Sequence, residues 1–235
     1  MMRALWIALL AVLACVAAGA QLDRASRRQP SLAAFVPVPF RSFAQESLTL
    51  ANVRSAEPRT ALAEARTLVD RSPMPAEHLT LLAIAQERSG ARDSSALLIQ
   101  RAAQRGWRDP IAQQAMFDIA LAAGDPGEAS RRFAALWALQ EDQAPLADMA
   151  SRLLATPEGR EALANTLVGG GNWTKPYLRS VAGNPTEAGV ETVSLAMRKG
   201  AVFDCQTSAL LTKALEKQLR QEETAMLRNC LRQKR

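Results

Sequence analysis

A spacing constrains this chain more than any single residue does. Pro75, Pro110 and Pro145 follow one another at 35 residues, and Gly90 and Gly124 lie 34 apart. Each glycine sits in a turn-forming stretch, Ser89-Gly90-Ala91-Arg92-Asp93 or Ala123-Gly124-Asp125-Pro126. Each window between prolines reads as helix, glycine turn, helix and break. A self-similar unit of this length marks an array of helical hairpins, in which each hairpin needs a neighbour to bury its apolar face.

Local rules point the same way. Leu79, Leu82, Ala83 and Gln86 follow the i, i+3, i+4, i+7 rhythm of a helix face. Asp109 before Pro110 supplies an N-cap oxygen and then a residue already fixed at helical φ. Asp125-Pro126-Gly127-Glu128 has capping-box spacing, with Glu128 expected to reach back to the Asp125 amide. Beyond Pro145 the repeat decays but the helical pattern continues. Leu146, Met149, Ala150, Leu153 and Leu154 share one face, and Thr156-Pro157-Glu158 opens a helix expected to reach Val168.

Gly169-Gly170-Gly171-Asn172 then stops that helix. It is no phosphate loop, since no Gly-Lys-Ser/Thr follows at the required spacing and no strand precedes it. Trp173 and Tyr177, one turn apart, are expected to anchor the next helix. Asn184-Pro185 and Asp204 are expected as further N-caps, with Gly200 closing the helix between them. About five helices are expected after residue 145, and the fold class is all-α.

The repeat positions resemble those of tetratricopeptide repeats. In 76–109 the matching residues are Leu79, Leu82, Ala83 and Gly90, with Ala96 and Ala103 near the second-helix packing positions. In 110–144 they are Met116, Ala120, Gly124, Asp125, Ala129, Phe133 and Leu136. Leu48, Ala61, Ala65, Leu68 and Pro73 fit a more degenerate first unit, 42–75. Phe117 departs from the family's small residue, and Asp93-Ser94-Ser95-Ala96 reads as carrying one extra residue. Ala102-Ala103-Gln104-Arg105-Gly106 with Ala112-Gln113 is similar to the related Sel1-like repeats. The resemblance implies a right-handed α-α superhelix of about three hairpins, followed by further packed helices.

It also implies a partner-binding concave face built from the first helix of each unit. Carried over residue by residue, that face holds Glu77, Thr80, Ile84, Glu87 and Arg88, then Ile111, Gln114, Asp118 and Leu121. Apolar residues interleaved with acids suit a short basic or amphipathic peptide segment.

Charge excludes one class of partner. The formal net charge of +6 is unevenly spread. Residues 1–41 carry five Arg and one Asp (+4), and 42–144 carry eleven basic and thirteen acidic residues (−2). Residues 145–197 carry four against five (−1), and 198–235 nine against four (+5). Nucleic-acid binding needs a basic stripe along the repeats, and theirs is slightly acidic. Only five of the 29 basic residues are Lys; with abundant Ala, that usage is a habit of GC-rich bacterial genomes.

Catalytic signals are weak. His78 is the single histidine, expected at the surface or as a cap, with no Cys or second His at metal-ligand spacing. No Gly-x-Ser-x-Gly elbow occurs. Glu46, Glu77, Glu87 and Asp118 offer carboxylates that a groove-type glycosidase would pair. The reading is therefore a non-enzymatic scaffold or adaptor without cofactor or metal, whose partner is another envelope protein or peptide segment. The alternative is an envelope enzyme acting on glycans through those carboxylates.

Location follows from the N-terminus. Met1-Met2-Arg3 precedes an apolar run from Ala4 to Ala20 that closes on Ala18-Gly19-Ala20. That order fits a secretory signal with a small-residue cleavage site. Its 17 residues also reach the short limit for a membrane span. Arg24, Arg27 and Arg28 beyond the run blur the charge rule for orientation, so cleavage and an uncleaved anchor both stay open. An exported, periplasmic protein is expected, with 1–20 as signal or anchor, 21–41 a Pro-rich linker, 42–144 the repeats and 145–235 their helical extension. Pro30, Pro37 and Pro39 favour extended backbone in the linker. Phe35, Val36, Val38, Phe40 and Phe43 are expected to dock on the first repeat. Cys205 and Cys230 are the only cysteines beyond the run, an even pair that would bond in an oxidising compartment. That bond requires 205–232 to form a hairpin and not one straight helix.

Overall fold

The computed structural model describes residues 2–139, 143–215, 225 and 227. Every regular element among them is helical. The chain opens with α1 (Met2–Ser26) and two 3-10 helices (Pro30–Phe35 and Val38–Phe40). There follow α2 (Phe43–Ser55), α3 (Pro58–Arg71), α4 (Ala76–Arg88), α5 (Arg92–Arg105), α6 (Pro110–Ala122) and α7 (Pro126–Leu139). The last five are α8 (Gln143–Leu153), α9 (Pro157–Val168), α10 (Thr174–Gly183), α11 (Glu187–Arg198) and α12 (Cys205–Leu215). Two compact units divide the chain, Met1–Gly106 and Trp107–Arg235.

The proline and glycine spacings, 35 and 34, are reconciled by the helix starts. Pro75 is the N-cap of α4, whereas Pro110 is the first residue of α6 and Asp109 is its N-cap. Cap to cap, the period is 34. The buried positions keep that period. Ala61, Ser95 and Ala129 lie 34 apart and are all buried, as are Ala65, Ile99 and Phe133. Ser95 thus fills the slot expected for Ala96, which is exposed, and Asp93-Ser94-Ser95-Ala96 carries no extra residue.

Gly90 and Gly124 end the first helices of their hairpins in the same manner. Both adopt positive φ, 86° and 70°. The amide three residues past the helix returns to a carbonyl five residues back, Ala91 to Gln86 and Asp125 to Ala120, each at 2.9 Å. No atom lies within 4 Å of a Cβ built on either glycine, so the requirement is conformational, not steric. This turn also overrules the expected capping box. The Asp125 amide is already spent on Ala120, so Glu128 instead takes Arg131 and Arg132 at 2.6 Å each. Asp125 still caps α7, accepting from the Glu128 amide at 2.9 Å. Partial burial raises the Glu128 pKa, but the hydrogen bonds and charges of Arg131 and Arg132 outweigh it and hold the group low.

In the first unit α3 packs on α2 and α4, and α4 also packs on α5 and α2. Alanines 61, 65 and 85 face Val53, Leu68, Leu81 and Leu82 in one core. The small side chains let the helix axes approach closely, as a chain with 5% aromatics requires. Enclosed on several sides, α4 buries His78, Leu79, Thr80, Leu81, Leu82 and Ala83 in succession. Arg71 and Arg105, again 34 apart, close the last turns of α3 and α5 on earlier carbonyls. Arg71 donates to Arg41 at 2.7 Å and Arg105 to Pro73 at 2.8 Å.

Residues 21–41 differ from the expected extended linker. Residues 21–26 continue α1, and the proline stretch forms the two 3-10 helices, where Pro30 and Pro39 occupy first-turn positions that need no amide donor. Docking is partial. Ala33 and Val36 are buried with Ala44, and Phe40 packs against them, but Phe35 and Val38 are exposed.

In the second unit α7 is central, packing on α6, α8, α9 and α10, while α9 meets α11 and α10 meets α12. Its heart is aromatic. Phe133 lies 6.4 Å from Phe117, 6.2 Å from Trp137 and 5.7 Å from Tyr177, the last two edge-on. Trp173 joins through Tyr177 at 5.8 Å and donates its indole N–H to the Gly170 carbonyl at 2.9 Å. The expected anchor is therefore present, and Thr156 and Asp204 cap as expected. Asn184 does not. It terminates α10, and Thr186 caps α11 by accepting from the Gly189 amide at 3.2 Å.

The Tyr177 hydroxyl is buried without a hydrogen-bond partner among the described residues, and burial pushes its pKa up. A buried orphan hydroxyl costs roughly 1–3 kcal/mol. Tyr177→Phe is therefore expected to leave stability unchanged or raise it by about 1 kcal/mol. A loss above about 1 kcal/mol on urea unfolding would show that the hydroxyl is satisfied.

Asp204 supports a second expectation. It accepts from the Thr207 hydroxyl at 2.6 Å and from the Gln206 and Thr207 amides at 3.0 Å each. Led by the Thr207 hydroxyl, these bonds favour the carboxylate and lower its pKa. A depressed carboxyl contributes stability that is present above its unfolded value, near pH 4, and fades as pH falls through the folded value. Asp204→Ala should cost about 1 kcal/mol at pH 7 and distinctly less at pH 2.5. Equal losses at both pH values in urea titrations would refute the charged cap.

Candidate functional site

The residues of the expected binding face fall in two places. On α4, Glu77, Glu87 and Arg88 are exposed, Ile84 is half-buried and Thr80 is buried at 2% exposure. Thr80 is thus withdrawn by the enclosure of α4. Arg88 is engaged in the fold, since its guanidinium donates to the carbonyls of Asn52, Val53 and Ala56, which end α2. Glu87 pairs with Arg92 at 3.3 Å across the hairpin turn. Glu77 and Ile84 remain as the accessible pair.

On α6, Ile111 and Gln114 are exposed, and Asp118 and Leu121 are half-buried. Leu121 packs against the core of the second unit. Asp118 meets Arg152 at 2.8 Å, and that guanidinium also lies 5.6 Å above the Phe117 ring. Asp118 is therefore part of an α6–α8 brace, and an Asp118→Arg substitution would set two cations together. Ile119 and Trp107 add exposed apolar surface to this unit, 43% and 52% exposed. Periodicity alone did not single them out, because a solitary apolar residue off the core stripe carries no sequence signal.

The remaining candidate groups are structural as well. His78 is buried and not at the surface. Its Nδ1 lies 2.8 Å from the Ser72 carbonyl that follows α3, and its Nε2 is 3.8 Å from Glu46. Of the four acids that might pair in a groove, Glu46 faces His78, Glu87 faces Arg92 and Asp118 faces Arg152. Groups of three or more His, Cys, Asp or Glu able to hold a metal do not occur among the described residues.

Two long-range caps escaped the sequence reading. Ser42 holds the N-cap position of α2, but its side chain makes no capping bond. Asp23 does so from α1, its carboxylate accepting from the amides of Ser42 at 3.0 Å, Phe43 at 3.2 Å and Ala44 at 2.9 Å. Arg88 closes the other end of the same helix. Both partners lie at least 19 residues away, so no local motif could reveal them.

Cys205 opens α12, and Cys230 lies outside the described residues. Helix α1 is long and apolar enough to cross a membrane. No family model, no curated protein and no solved structure matches this chain.

Proposed function

We propose that this protein is a non-enzymatic scaffold of the bacterial cell envelope, a tetratricopeptide-like α-solenoid that binds a peptide segment of another envelope protein. The observation that carries this reading is the 34-residue register of buried positions, Ala61/Ser95/Ala129 and Ala65/Ile99/Phe133. A chain that repeats its packing unit builds an extended surface by stacking hairpins, and such surfaces serve recognition. The superhelical arrangement of the hairpins belongs to the same proposal. So does export, for which the apolar α1 and its small-residue end are the motive.

The accessible side chains of the first helices, Glu77 and Ile84 on α4 and Ile111 and Gln114 on α6, are the binding residues in this reading. One acid beside two apolar side chains and an amide suits a short basic or amphipathic segment. Three of the four acids that a glycan hydrolase might pair, Glu46, Glu87 and Asp118, face His78, Arg92 and Arg152, which supports a structural role for those three.

Photo-crosslinking in living cells tests the proposal. A photoreactive residue at Glu77 or Ile111 should trap one discrete protein partner, whereas the same residue at the exposed Arg101 or Arg131 should not. Equal trapping at all four positions would refute a face-specific site. Release of reducing sugar from cell-wall glycan by the purified chain would refute the non-enzymatic reading.

A further inference from the structure

Helix α1 does not end where the apolar run ends. It continues without a break through Ala20 to Ser26, and its last two turns are built into the folded body. Three residues make the joint. Gly19 is buried, and a Cβ there would stand 2.6 Å from the Phe40 ring, so only glycine allows this approach. Asp23, 5% exposed, caps α2 through three amides, and Ser26, fully buried, donates to the Asp23 carbonyl at 2.7 Å. The joint fixes a helix, not a flexible tail.

The residues expected at a cleavage site, Ala18-Gly19-Ala20, are therefore helical, and the middle one is packed. Nicking favours loosely held backbone, whereas this segment is held in a helix with Gly19 packed. Toward the N-terminus the pattern reverses. From Met2 to Ala18 every residue is exposed, including Leu5, Trp6, Ile7 and Leu10, so the apolar length has no protein to cover it. The whole helix of 25 residues reaches about 37 Å at 1.5 Å per residue, and its uncovered part, Met2–Ala18, reaches about 25 Å, the short limit for crossing a hydrocarbon core of about 30 Å.

Arg24, Arg27 and Arg28 emerge at the headgroup layer. All three are exposed, and with Phe43 they line an open cleft of about 700 Å³. Arg27 lies 5.3 Å over the Phe43 ring, which keeps its charged end at the cleft. Arginines that follow a span at this depth meet lipid phosphates.

We infer that α1 is a retained membrane anchor, continuous with the folded body, that seats the Arg24–Arg28 cleft on anionic phospholipid headgroups. Cleavage after Ala20 would remove Gly19 from under Phe40 and leave the capping helix as a two-turn stub. The inference depends neither on the partner nor on which side of the membrane the body lies.

Intact-mass measurement of the full chain from carbonate-washed membranes is the first test. The expected mass includes the residues before Gln21, and a mass beginning at Gln21, or release of the protein by carbonate, would overturn retention. Asp23→Ala tests the joint by hydrogen exchange, which reads the folded body directly. The amides of Ser42, Phe43 and Ala44 should exchange about tenfold faster or more, as expected for losing charge-assisted bonds; unchanged rates would overturn the joint. Native mass spectrometry from nanodiscs holding phosphatidylglycerol and phosphatidylcholine tests the cleft. The wild type should retain phosphatidylglycerol and the Arg24→Gln/Arg27→Gln/Arg28→Gln variant should lose it. Equal retention would overturn the headgroup site.

Discussion

Phe133→Ala should destabilise the second unit by roughly 3–5 kcal/mol, the range for deleting a fully buried phenyl ring. Phe133 is completely inaccessible and touches Phe117, Trp137 and Tyr177, so its loss opens a cavity walled by rigid rings. Such walls relax poorly, and the cost belongs at the upper part of that range. The control is Trp107→Ala. Trp107 is half exposed and contacts the Arg108 guanidinium at 5.0 Å, so its removal should change stability by less than about 0.5 kcal/mol. Chemical denaturation followed by circular dichroism measures both. A Phe133→Ala loss below about 1.5 kcal/mol would mean that neighbouring helices close the gap, and that the second unit is loosely packed.

Helix positions and short-range caps were legible in the sequence because they are local. Asp109, Asp125, Thr156 and Asp204 each bond amides two or three residues ahead, and the glycine run after Val168 marks the end of α9. Elsewhere a nearby competitor or a tertiary contact overrides the first local preference. Asn184 lost the cap of α11 to Thr186, which lies one residue from the helix start. Pro30, Pro37 and Pro39 were compatible with extended backbone, yet burial of Ala33 and Val36 favoured 3-10 turns.

The candidate face was the least legible part. Family-type positions on α4 and α6 identify which residues share a helix face, but not which of them the fold has already engaged. Arg88, Asp118 and Glu87 are consumed by carbonyls, Arg152 and Arg92, while Thr80 is buried. Long side chains choose among such partners through distances that sequence spacing does not encode. What stays accessible, Glu77, Ile84, Ile111 and Gln114, is smaller and less acidic than the sequence alone suggests.

Replacing Cys205 and Cys230 together by serine should lower stability by roughly 3–4 kcal/mol under oxidising conditions. That is the chain-entropy cost of releasing a loop of this length, which runs from residue 205 to residue 230. The motive is chemical. Cys15 is exposed on the apolar face of α1 and free, so these two are the available pair, and an exported chain meets an oxidising compartment. Near Cys205, Phe203, Thr207, Ser208 and Leu211 are buried, and Leu227 lies in the same apolar cluster as Leu211. Thiol labelling of unreduced, denatured protein should modify one cysteine per chain, and reduction should raise this to three. After reduction the serine variant should match the wild type in stability, because only the cross-link distinguishes them. Three labelled cysteines before reduction would refute the bond, and with it the main reason to expect a hairpin over 205–232.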